Sequence, residues 1–122
     1  MTDPADPADA LPASWSSSAR EVYLQITEEH PDLDVTTLAS LYEACSMLAT
    51  ADSLSGQVEA DGLMVPGSKG QPVAHPLVAE ARMHRTAGLA ALRALGLARR
   101  SGPAQSASAA GAALVGARWG RR

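Results

Sequence analysis

Apolar side chains recur at helical spacing in three stretches of the chain and thin out between them. In the first stretch, Trp15, Ala19, Val22, Tyr23 and Ile26 share one side of a helical repeat, and Ser18 followed by Glu21 fits a capping box. The pattern predicts a first helix that ends near His30, with Pro31 closing it. In the second stretch Asp34 is placed as an N-cap, and Leu38, Leu41, Tyr42, Cys45, Leu48 and Ala49 keep the same period. Met47, Ala51, Leu54 and Val58 add a neighbouring stripe, so the apolar face is broad and carries the helix nearly to Ala60. At 1.5 Å per residue a helix of roughly 25 residues is about 38 Å long, which makes it the longest element. The third stretch opens at Pro76, a residue suited to the first position of a helix. Leu77, Ala81, Gly88, Ala91, Leu92 and Leu95 give it an apolar side, and Gly96 is a natural terminator.

Between the second and third helices, the span from Gly62 to Pro72 holds three glycines and two prolines and predicts a connector with turns. Within it, Leu63 to Val65 and Gln71 to Ala74 are placed to pair weakly across a Gly67 to Gly70 turn. The expected fold is mostly α: a small helical domain built on a long antiparallel helical hairpin with a Gly/Pro-rich connector. Residues 1–13 read as a disordered acidic tail, 14–98 as the helical domain and 99–122 as a flexible basic C-terminal tail. The reason is apolar content, because a Pro-Ala-Asp repeat at one end and a Ser/Gly/Ala/Gln/Pro run over 101–113 at the other have little to offset the entropy of ordering.

Composition sharpens this in two ways. The 122 residues include no Phe and only two Trp and two Tyr, so a monomeric core would be thin, and burial against other copies is the available remedy. The single Cys45 rules out an internal disulfide and falls on an apolar stripe, as a buried small hydrophobe in a reducing compartment would. The acidic N-terminus lacks a hydrophobic signal region, and no apolar run approaches the ~20 residues of a membrane span, so a cytoplasmic protein without membrane contact is expected.

Charge is strongly divided. Twelve of the thirteen acidic side chains lie between Met1 and Asp61, and nine of the ten basic ones lie after it. The net charge of −3 therefore hides an acidic half and a basic half, and only the second is suited to phosphate. The change coincides with the start of the connector at Gly62.

Most catalytic chemistry finds no support. Gly62-x-x-x-x-Gly67-Ser68-Lys69 superficially resembles a phosphate-binding loop, but Ser and Lys stand in the wrong order and a helix, not a buried strand, precedes the loop. His30, His75 and His84 lack the spacing of a metal site; His75 is better placed to cap the third helix and His84 to sit partly buried. No nucleophile is paired with a base, so neither enzymatic activity nor a cofactor is expected.

The basic residues carry more. Arg82 and Arg93 are eleven positions apart and nearly eclipsed on a helix, with Arg85 about 60° away, so the three line one side of the third helix. Lys69 sits in the connector. Arg99, Arg100, Arg118, Arg121 and Arg122 follow with no acidic residue among them, and Trp119 lies in the last cluster, where it is placed to stack on a base or sugar. These nine side chains are the candidate DNA contacts. The plainer readings are a solvated helix surface for the first group and, for the tail, a solubilising end or one that docks on the acidic half of a neighbouring subunit.

The order of elements resembles the small subunit of tailed-phage terminases, in the large family with a compact helical-hairpin core. The likeness runs from about Ala19 to Leu97 and rests on the Asp34 helix start with Leu38, Leu41 and Tyr42, on Gly70 and His75-Pro76 at the loop's end, and on Leu95-Gly96-Leu97. The chain departs from that pattern at His75, where the family commonly carries Asn, and at Ala98, where Thr-Pro usually follows Gly-Leu. The resemblance implies a ring-forming homo-oligomer in the host cytoplasm that binds the packaging start site on double-stranded phage DNA. It further implies delivery of that DNA to the large terminase subunit, which holds the ATPase and nuclease activities. The alternative expectation is a small helical protein–protein interaction module without DNA binding.

Overall fold

The computed structural model describes residues 6–97. Three helices dominate: α1 over Ser17–Glu29, α2 over Val35–Asp61 and α3 over Pro76–Ala94. Between α2 and α3 stand two short strands, β1 (Met64–Pro66) and β2 (Pro72–Ala74). The strands pair antiparallel, with Met64 opposite Ala74, Val65 opposite Val73 and Pro66 opposite Pro72. The mostly helical fold on a long antiparallel hairpin is thus the observed one, and the pairing expected across the Gly67 to Gly70 turn is present.

Local chemistry sets the element ends. Asp34 caps α2 by accepting the Thr37 amide at 2.7 Å, and Pro76 occupies the first turn of α3. α2 stops at Gly62, whose φ of 89° is a conformation that a side chain would strain. Gly96, with φ 66°, ends the chain's last described turn in the same way.

Two expectations change at the N-terminal end. The cap of α1 is Ser16, whose Oγ accepts the Ala19 amide at 3.3 Å, and Ser18 lies inside the helix. Residues 6–13, expected as part of a disordered tail, instead carry a 3-10 turn over Pro7–Ala10 and bury Leu11. Arg20 holds this segment: its guanidinium donates to the Trp15 and Ala8 carbonyls at 3.2 and 3.1 Å and also to the Pro12 carbonyl. A charged group with three carbonyl acceptors in sequence-adjacent turns fixes a path that apolar periodicity does not report.

The core has two parts that meet on α2. Leu11, Trp15, Ala19, Leu41, Cys45 and Ala49 form one cluster, joined by Tyr23 and Tyr42, whose rings lie 6.1 and 4.9 Å from that of Trp15. Leu92 and Leu95 reach this cluster from the end of α3. Along the hairpin the seam is built from small residues, with Ala44, Ala51, Ala81 and Gly88 all buried. Gly88 faces Ala44 and Leu48 so closely that an added methyl would lie 2.9 Å from Leu48 Cγ.

Candidate nucleic-acid interface

The candidate contacts divide into those that the fold places and those outside the described residues. Arg99, Arg100, Arg118, Arg121 and Arg122 belong to the second group. Lys69 is exposed in the turn between β1 and β2, where its amide donates to Gln71 Oε1 at 2.9 Å. Arg82 and Arg93 are exposed on α3, eleven residues and about 16 Å apart along the axis. Lys69 precedes the start of α3 and Arg93 stands in its last turn, so these two mark opposite ends of the helix rather than one compact cluster.

Arg85 is different, because part of its charge is already used. Its guanidinium donates to Asp52 Oδ1 at 3.0 Å, and Asp52 Oδ2 accepts from Ser16 Oγ at 2.5 Å and from Ser18 Oγ at 2.8 Å. One carboxylate on α2 therefore ties the first turn of α1 to the middle of α3. Partial burial works to raise the Asp52 pKa, but the bonds from Ser16 and Ser18 and the Arg85 charge together outweigh it and hold the carboxyl below its usual value. The Arg85 side chain remains 43% exposed, so it can still turn one face outward.

A depressed carboxylate contributes stability that is present above its unfolded pKa and lost as pH falls through the folded one. Asp52→Asn is accordingly expected to lower unfolding free energy by about 1–2 kcal/mol at neutral pH. The gap to the parent chain should close on acidification below the ordinary value of 3.8. Urea titrations at neutral and strongly acid pH check it; a gap that persists in acid would mean that the carboxylate charge is not what holds the three helices.

The base of the hairpin's strand pair is held by a second polar link. His75 is 7% exposed; its Nδ1 accepts the Leu77 amide at 3.1 Å, and its Nε2 lies 2.9 Å from Asp61 Oδ2. Both contacts are satisfied at once by the neutral tautomer with hydrogen on Nε2. Hydrogen bonds from Gln57 and then His75 hold the Asp61 carboxyl below its usual value. The expected cap is thus the observed one, and it also pins the end of α2 to the start of α3. His84 is partly buried and its Nδ1 bonds the Glu80 carbonyl at 2.9 Å.

Other chemistry is sparse among the described residues. Burial pushes the Cys45 thiol up to about 11, which keeps it protonated and a poor nucleophile at neutral pH. No group of three His, Cys, Asp or Glu side chains converges on a point there. Nor is any described helix long and apolar enough to cross a membrane.

No protein-family model matches this chain, and no curated protein or solved structure matches it either. The site is therefore read from its own charges. α2 carries Glu43, Asp52, Glu59 and Asp61 with no basic residue, whereas α3 carries Arg82, Arg85 and Arg93 against a single Glu80. Packing the two helices side by side puts an acidic arm and a basic arm in one hairpin.

Proposed function

We propose that this chain is a non-enzymatic DNA-recognition adaptor of phage genome packaging, of the terminase small subunit kind. In this reading it acts as a homo-oligomeric ring in the host cytoplasm, binds double-stranded DNA at the packaging start site and delivers it to the large ATPase–nuclease subunit. The observation that carries it is the basic arm: α3 presents Arg82 and Arg93 to solvent over about 16 Å, a span of about five base-pair steps at 3.4 Å each. The helix ends where the chain leads on toward five further arginines. Exposed Leu63, Met64 and Met83 and a small core are in keeping with burial against other copies.

Counterion release supplies the test. With six or more phosphates neutralised, affinity for duplex DNA is expected to fall about a thousandfold between 50 and 200 mM salt. Fluorescence anisotropy across a salt series reads the slope, and light scattering on the same samples reads the assembly. Absence of DNA binding even at low salt would remove the mechanism and leave the second reading, a protein–protein module, which the same exposed Leu63, Met64 and Met83 favour.

A further inference from the structure

A groove of about 760 Å³ opens between the 3-10 turn at Pro7–Ala10, α1 and the first turns of α2. Leu11, Tyr23, Leu24 and Tyr42 line it, with Asp6 and Glu28 at the same site and no basic side chain among the lining residues. It is large enough for an aromatic ring system, and nothing in the described chain fills it. We infer that it is the docking site for this chain's own segment Leu114–Arg122, with Trp119 on the apolar lining and Arg118, Arg121 and Arg122 toward Asp6 and Glu28.

Three observations favour this occupant. The first is complementarity: the segment Leu114-Val115-Gly116-Ala117-Arg118-Trp119-Gly120-Arg121-Arg122 joins apolar residues and a tryptophan to three positive charges, and the groove joins an apolar lining to two negative ones. The second is where α3 ends. Leu92 and Leu95 pack against the core cluster of Leu11, Trp15, Ala19, Leu41, Cys45 and Ala49, and the groove-lining Tyr23 and Tyr42 pack against the same cluster. The chain therefore leaves the hairpin at the end that holds this cluster rather than near Lys69. The third is reach. Twenty-one residues separate Leu97 from Trp119, and a Gly/Ser/Ala-rich chain of that length spans about 25 Å on average, more than the roughly 20 Å length of the 13-residue α1 that forms one wall of the groove.

Docking gives the acidic half of the chain a task. It holds the tail arginines on the protein, so phosphate competes with Asp6 and Glu28 for them. The inference is separable from DNA binding, since every measurement below is made without DNA.

The test uses the full-length protein and acrylamide quenching, with the Trp119 signal obtained as the difference between the parent and Trp119→Ser. Docked Trp119 is quenched several-fold less than in a free peptide of sequence 114–122, and the protection is independent of protein concentration. Glu28→Lys, on an exposed side chain that leaves the core intact, raises quenching by about twofold or more as one ion pair becomes a repulsion. In amide NMR spectra, Trp119→Ser shifts the signals of Leu24, Thr27 and Tyr42, which line the groove. Peptide-like quenching in the native chain would overturn the inference. So would protection that grows with concentration, which marks a neighbouring copy as the partner, and so would shifts away from the groove, which place Trp119 elsewhere.

Discussion

Gly88→Leu is expected to destabilise the hairpin by about 3 kcal/mol or more, a large share of the 5–15 kcal/mol that holds a small domain together. The reason lies in the first atom added. A Cβ at Gly88 would stand 2.9 Å from both Leu48 Cγ and Cδ2 and 3.1 Å from the Ala44 carbonyl oxygen. Leu48 has some freedom to rotate, but the Ala44 oxygen belongs to α2 itself and moves only with the helix. Even Gly88→Ala should cost about 1–2 kcal/mol, although alanine ordinarily gains about 1 kcal/mol over glycine inside a helix. Gly56 provides the matched control: it sits within α2, and an added Cβ meets nothing within 4 Å. Gly56→Ala should therefore stabilise by about 1 kcal/mol, opposite in sign to the change at Gly88. Urea unfolding of the three variants reads all of this. A Leu48→Ala change placed in the Gly88→Leu background should recover part of the loss but not all, since the Ala44 carbonyl remains; full additivity of the two changes would show that they do not touch.

That contrast also shows what periodicity reveals and what it conceals. Gly88 is found on the apolar side of α3 by its spacing from Leu77, Ala81 and Leu92, but spacing does not say whether a helical glycine is a gap or a contact. Gly56 and Gly88 look alike in sequence and differ only by what faces them. Caps were more legible, because a cap is a local event. Asp34, His75 with Pro76, and Gly96 each act on residues next to them in the chain, and each stands where the residue types place it. His75 is instructive, since its Nδ1 accepts the Leu77 amide as a short polar cap would, while Nε2 reaches Asp61 in a way that an Asn side chain is too short to reproduce.

The candidate site was legible in part, for a related reason. Arginines on one side of a helix are found by angle alone, and Arg82 and Arg93 are exposed as that angle requires. Arg85 was not distinguishable from them. Its partner Asp52 lies thirty-three residues away, with no acid–base pattern within α2 to announce it, and Ser16 and Ser18 converge on the same carboxylate only after three helices have packed. Arg20 is hidden in the same way: a single basic residue in an acidic stretch looks like an outlier, but its three carbonyl contacts fold residues 6–15 back onto α1. The packed domain thus takes in Leu11 and the 3-10 turn ahead of it, which apolar content alone does not imply, and with them comes one wall of the groove.

Removing residues 98–122 is expected to have the largest effect on the proposed DNA binding. Nine basic side chains are candidates for phosphate contact, and the deletion takes Arg99, Arg100, Arg118, Arg121 and Arg122, leaving Lys69, Arg82, Arg85 and Arg93. Arg85 is partly neutralised by Asp52, so the remaining set is weaker than its number suggests. If the five deleted arginines each release a counterion, the slope of log affinity against log salt should become shallower by about 4 to 5, and affinity near 0.1 M salt should fall about ten-thousandfold. Arg82→Ala and Arg93→Ala in the intact chain should each change the slope by only about one. An undiminished slope after deletion would transfer the contact to α3 and the Lys69 turn. The groove adds a sign that distinguishes tail contact from tail docking. Where docking competes with phosphate, Glu28→Lys frees the tail and strengthens DNA binding, beyond what one added positive charge on the surface accounts for. The surface contribution is measured by making the same Glu28→Lys change in the deleted chain, where no tail is present to be released. A gain of equal size with and without residues 98–122 would mean that the acidic rim acts on DNA directly and holds nothing back.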